Sequence, residues 1–187
     1  MDQNRMAVLI AIMVIAVIAA AAIAFVTSRK RRSQKLKERF GPEYDRVMRQ
    51  EGDSRRAEGV LEFRQNRREK FNIRPLSGAN RSSFVESWSE VQARFVDDPQ
   101  GAVTLADSLV TDVMQARGYP IGAFEQRAAD LSVDYPVIVE NYRAAHDIAL
   151  RHSSGEASTE DLRQAMVHYR RLFQELLDEP KIERRGA

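Results

Sequence analysis

The chain has 187 residues and no cysteine, so disulfides, thiolate nucleophiles and cysteine-type zinc sites are excluded. Its net charge of +2 hides an uneven distribution: residues 1–27 are neutral, residues 28–74 carry 16 basic and 8 acidic side chains, and residues 75–187 carry 12 basic and 18 acidic ones. The acidic part is unsuited to nucleic acid, because phosphate contacts need an excess of Lys and Arg.

Residues 1–27 form an N-terminal tail and an expected transmembrane helix. From Ala7 to Val26 there are 20 residues without one polar side chain. A helix of that length spans about 30 Å, the thickness of a bilayer hydrocarbon core. A cleaved secretory signal is the competing reading, since Ala22-Ile23-Ala24 has the small-x-small pattern of a cleavage site. Against it, the apolar run exceeds the roughly 7–15 residues of a signal h-region, and Asp2 cancels Arg5 where a signal should be positive. The positive charge follows the span instead, at Arg29, Lys30, Arg31, Arg32, Lys35 and Lys37. Such residues stay on the cytoplasmic side. The expectation is therefore an uncleaved, single-pass signal anchor with its N-terminus out and its C-terminal domain in the cytoplasm. The same six residues are the predicted membrane-surface contacts, each adding about 1 kcal/mol of attraction to anionic lipid headgroups.

Residues 28–74 read as a basic, partly helical juxtamembrane stalk. Gly41-Pro42 and Gly52-Asp53 punctuate it. Pro42 suits the first turn of a short helix reaching about Gln50, and Asp53 or Ser54 can cap a second one reaching about Lys70. The apolar stripe of Leu36, Phe40, Tyr44, Val47, Ala57, Val60, Leu61 and Phe71 is too thin to build a core alone. It leaves three possibilities: a solvated spacer, packing against the C-terminal domain, or self-association or membrane contact. The membrane already accounts for the basic charge, so nucleic acid is not expected as a partner.

Residues 75–179 show helical periodicity throughout, and no segment alternates with period two. Phe84, Trp88, Val91 and Phe95 mark one helix face. Asp98 caps the next helix, with Pro99 in its first turn and Val103, Ala106, Leu109, Val110 and Val113 inside, and Gly118 ends it. A short helix runs from Phe124 to Leu131. Asp134-Tyr135-Pro136 is expected to cap a helix carrying Ile138, Tyr142, Ala145 and Ala149, closed by Gly155. Ser158 to Asp161 forms a capping arrangement for the last helix, which carries Leu162, Ala165, Met166, Tyr169, Phe173 and Leu176 and is blocked by Pro180. The fold class is all-α: one transmembrane helix, a charged helical stalk and a C-terminal five-helix bundle of about 105 residues, enough for a single core. Short loops predict successive helices as neighbours. Residues 180–187 are expected to be a disordered tail.

The sequence carries no phosphate-binding loop, no dinucleotide fingerprint, no His-Glu-x-x-His pair and no Glu-x-x-His pair, so no cofactor or metal is predicted. His146 and His168 lie on two helices expected to pair. An enzyme would need them to converge with nearby acids in one pocket, whereas the simpler reading is two half-buried histidines at a helix interface. His152 sits near a helix end, where His is ordinary. Asp97-Asp98 is too few ligands for calcium, and capping explains Asp98. Arg127, Asp130 and Asp134 form either a recognition patch or structural ion pairs. Trp88, the only tryptophan, belongs to the core.

The stretches VQARFVDDPQGAV, VMQARGYP, FEQRAADLSVDYPVIVENYRAAH and STEDLRQAMVHYRRLFQELL resemble a family of small bacterial membrane-anchored proteins with no assigned activity. The resemblance covers about Val91 to Leu177, along with the order of anchor, charged stalk and helical domain. It implies a bacterial source, hence the inner membrane, and brings no substrate or catalytic residue. Three functional classes follow: a membrane-anchored domain acting through an unidentified protein partner on the cytoplasmic face, which the sequence favours; an envelope structural protein exported after signal cleavage; and an enzyme using His146 and His168.

Overall fold

A computed structural model describes residues 3–178, with side chains from residue 12 onward. The tail expected at 180–187 lies outside the described residues. Eight helices and no strand occur among those described.

Gly41 sets the first break. Its φ of 46° lies in the left-handed region where a side chain is costly. The first helix, α1 (Gln3–Phe40), therefore stops there, and α2 (Pro42–Glu51) begins with Pro42 in its first turn. Gly52, also left-handed, ends α2. Asp53 caps α3 (Ser54–Arg68) by accepting from the Arg56 amide at 3.0 Å. These are the two short helices that the stalk's punctuation predicts.

Five further helices follow: α4 (Gly78–Arg94), α5 (Pro99–Ala116), α6 (Phe124–Leu131), α7 (Val139–Ser153) and α8 (Thr159–Leu177). Asp98 caps α5 through the Gly101 amide at 2.8 Å, as its place before Pro99 requires. At α8 the capping box is complete: Ser158 Oγ accepts from the Asp161 amide, and Asp161 Oδ2 accepts from the Ser158 amide.

The expected cap at Asp134 is not used. Residues 136–138 form a turn and α7 starts only at Val139, because the Asp134 carboxylate is engaged by Arg68 and by the Tyr119 hydroxyl.

The core lies between α5, α7 and α8. The last helix packs against both α7 and α5, and α4 lies against α5. The expectation that chain neighbours would pair thus holds for α4–α5 and α7–α8, while α8 also reaches back to α5. Trp88 of α4 stacks on Phe173 of α8, with ring centroids 4.7 Å apart and planes 20° from parallel, as its core assignment implies. Val103, Ala106, Val110, Val113, Tyr142, Ala145, Ala165, Tyr169 and Leu172 are all buried in the same cluster.

Composition changes near residues 28 and 75, but contacts divide the chain into two units between Arg39 and Phe40. The first unit is the body of α1. The second contains α2 and α3 together with α4–α8. Of the possibilities left open for the stalk, residues 42–68 take the packed one: Tyr44, Val47, Ala57 and Leu61 are all buried, and Glu43, Arg67 and Arg68 pair with residues of the bundle.

Candidate functional site

The six predicted surface residues lie on α1 without a break from the apolar run. From Ile12 to Ser28 every side chain is exposed, and α1 is long and apolar enough to cross a membrane. Where the apolar run ends, Thr27 Oγ1 donates to the carbonyls of Ile23 and Ala24, and Ser28 Oγ donates to that of Phe25. Both hydroxyls are therefore satisfied inside the helix.

At about 100° per residue, Arg29, Lys30, Arg31, Arg32, Lys35 and Lys37 do not share a face but encircle the helix. They occupy about 12 Å of its length. A ring of this kind fits a planar surface crossed by the helix, which meets all sides of it at once. A groove or a partner helix would call for charge on one side only.

The second concentration of charge is inside the domain, and much of it was hidden in the sequence. Glu43 follows Pro42 in the first turn of α2 and is fully buried. Its Oε1 accepts from Arg64 Nη1 of α3 at 2.7 Å, from Arg143 Nη2 of α7 at 2.9 Å and from Arg46 Nη1 at 3.4 Å. Arg143 also reaches Glu125 at 3.0 Å, and Arg64 donates to Ser132 Oγ at 3.2 Å. One turn further along α3, Arg67 Nε donates at 2.9 Å to Asp130, which is fully buried and also accepts from Gln126. Next to it, Arg68 pairs with Asp134.

Burial works against the Arg68 charge, but the hydrogen bond and charge of Asp134 outweigh it and raise the guanidinium pKa. Burial, followed by the Asp134 charge, pushes the Tyr119 hydroxyl far above its ordinary range. Asp130 and Asp134 are therefore structural ion pairs. Their cationic partners come from α3, while Arg127 turns toward Asp107 at 3.5 Å.

A pattern pointing to Glu43 exists in the sequence. On α2, Glu43 stands beside Tyr44 and four residues before Val47, so the carboxylate falls on the helix's apolar side. Arg117 left no such trace. Its guanidinium is buried at the end of α8, where Nη1 donates to the carbonyls of Leu176 and Asp178, both at 2.6 Å. A cation at a helix C-terminus meets the negative end of the helix dipole.

The two histidines occupy separate environments. His146 lies flat on Phe124, with centroids 3.6 Å apart. Burial lowers its pKa, and Arg127 adds to the effect. His168 Nδ1 is 2.8 Å from Asn141 Oδ1, and burial, then the Arg171 charge, lowers its pKa too. Each is thus half-buried at a helix interface with its own partner. No group of three or more acidic or histidine side chains placed to hold a metal occurs among the described residues. No family model matches the chain, nor does any curated protein or solved structure.

Proposed function

We propose that the chain is a single-pass protein of the bacterial inner membrane, with its N-terminus outside, that displays α2–α8 in the cytoplasm and works there through protein contacts rather than catalysis. The observation that carries this reading is the ring of six basic residues directly after an apolar helix of spanning length. Positive charge of this density resists translocation, whereas in residues 1–6 Arg5 is balanced by Asp2. The ring would also grip anionic headgroups. The separate structural partners of His146 and His168 favour contact over chemistry.

Protease accessibility of a C-terminally tagged full-length chain in intact spheroplasts, with size read on the same gel, tests the topology. A protected tag on a full-length product is expected. A tag digested from outside overturns the orientation, and a product shortened near Ala24 makes the chain an exported envelope protein. Affinity capture with the full chain tests the contact role. A partner that binds the parent and not an unfolded variant is expected, and its absence counts against the reading.

A further inference from the structure

The main apolar cluster among the described residues is drawn from α4 to α8 and from the turn segments between them. It contains no buried residue of α2 or α3. What crosses from the α2–α3 hairpin to the rest includes a row of charged contacts: Glu43 with Arg143, Arg64 with Ser132, Arg67 with Asp130, and Arg68 with Asp134. The hairpin also buries Tyr44, Val47, Ala57 and Leu61 outside that cluster, so the seam is part apolar and part charged, and seams within a chain that are not large and wholly apolar are the ones that move.

The connection between the two parts is short and sharply divided. After Arg68, the segment from Phe71 onward already belongs to the bundle. Phe71, Ile73 and Leu76 pack on its core, the Arg74 amide donates to the Arg117 carbonyl at 3.0 Å, and Arg74 Nε donates to the Ala116 carbonyl at 3.2 Å. Only Glu69 and Lys70, both exposed, lie between the end of α3 and that docked segment.

We infer that the α2–α3 hairpin is a charge-held clasp. It swings from the α4–α8 bundle about Glu69–Lys70 as a unit, and the α3 arginines set the balance between docked and open forms. This concerns the domain itself and stands whichever side of a membrane it occupies. In the open form Arg67 and Arg68 regain water and so do Asp130 and Asp134. In the docked form each depends on the other, so removing one side's charge leaves the other desolvated and favours opening.

The absence of native cysteine supplies the assay. Ser132 is fully buried and accepts from Arg64 of the clasp, so a thiol introduced by Ser132→Cys in the full-length chain reports opening through its alkylation rate. Ala165→Cys, in the bundle core, reports loosening of the bundle. Rates are normalised to the urea-unfolded chain. Arg67→Gln with Arg68→Gln is expected to raise the rate at position 132 by about tenfold or more, while that at position 165 changes less than about twofold. Tenfold corresponds to about 1.4 kcal/mol in the docking equilibrium. An unchanged rate at position 132 overturns the role of charge. A parallel rise at both positions overturns the clasp, because hairpin and bundle would then open as one body.

Discussion

Glu43→Gln tests whether a single buried carboxylate ties the hairpin to α7. Glutamine keeps the volume and one acceptor oxygen, so packing changes little and charge is what is lost. Two of the three contacts, to Arg64 at 2.7 Å and to Arg143 at 2.9 Å, are short. A hydrogen bond between ionised groups exceeds a neutral one by about 1 kcal/mol, which gives about 2 kcal/mol for the pair. The three guanidiniums are then left close together without the carboxylate they share, and Glu125, which pairs with Arg143, is largely exposed. Their side chains retain 12 to 24% exposure and can turn partly to water, so the cost falls short of the 3–5 kcal/mol of a fully buried broken pair. A loss of about 2–4 kcal/mol is expected.

Urea unfolding of the full chain in detergent, followed by helical circular dichroism, measures this loss. A double-mutant cycle with Arg143→Gln should show positive coupling, since the second change removes part of the repulsion exposed by the first. A Glu43→Gln variant within about 0.5 kcal/mol of the parent, a normal surface effect, would refute the assignment of Glu43 as the common acceptor.

Gly118→Ala should destabilise by more than about 2 kcal/mol: φ is +92°, and a Cβ would stand 2.3 Å from the Asn72 carbonyl oxygen. A melting temperature equal to the parent's would contradict that geometry. Ser158→Ala removes one half of the α8 capping box and should cost about 1 kcal/mol, with faster amide exchange confined to the first turn of α8. Uniform or absent change in exchange would count against it. His146 and His168 have folded-state pKa values below the ordinary 6.5. Below pH 6.5 the unfolded chain therefore binds more protons than the folded one, and stability should fall as pH drops from 6.5 toward the folded values. Urea midpoints at pH 7.5 and pH 5.5, paired with imidazole titration by NMR, measure it, and titration of both rings at 6.5 would abolish the effect while titration above 6.5 would reverse its sign.

The helices of the bundle were readable because their ends are set by local chemistry. Asp98 before Pro99, Ser158 before Asp161, and the left-handed Gly118 and Gly155 act within a few residues, so their positions in the sequence carry their effect. Asp134 failed as a cap for the opposite reason. Its carboxylate can cap locally or meet Arg68, which lies far earlier in the chain, and only the fold decides which. The stalk was ambiguous on the same grounds. A thin apolar stripe with many arginines fits a solvated spacer until the bundle supplies acids at matching positions. The opposite net charges of residues 28–74 and 75–187 hinted at that pairing, though a nearby membrane explained the basic half equally well.

The sequence by itself determined the all-helical class, the spanning length of the first helix, the basic ring that follows it and most helix boundaries, since each depends on covalent neighbours or on a simple period. Only the tertiary structure decided that Asp130 and Arg117 are buried, which cations meet Glu43, that the α3 arginines serve the bundle, and that His146 and His168 take separate partners. A charged side chain carries no local mark of the groups that will surround it. Its burial is stable only where partners from distant segments converge, and that convergence is a property of the packed chain.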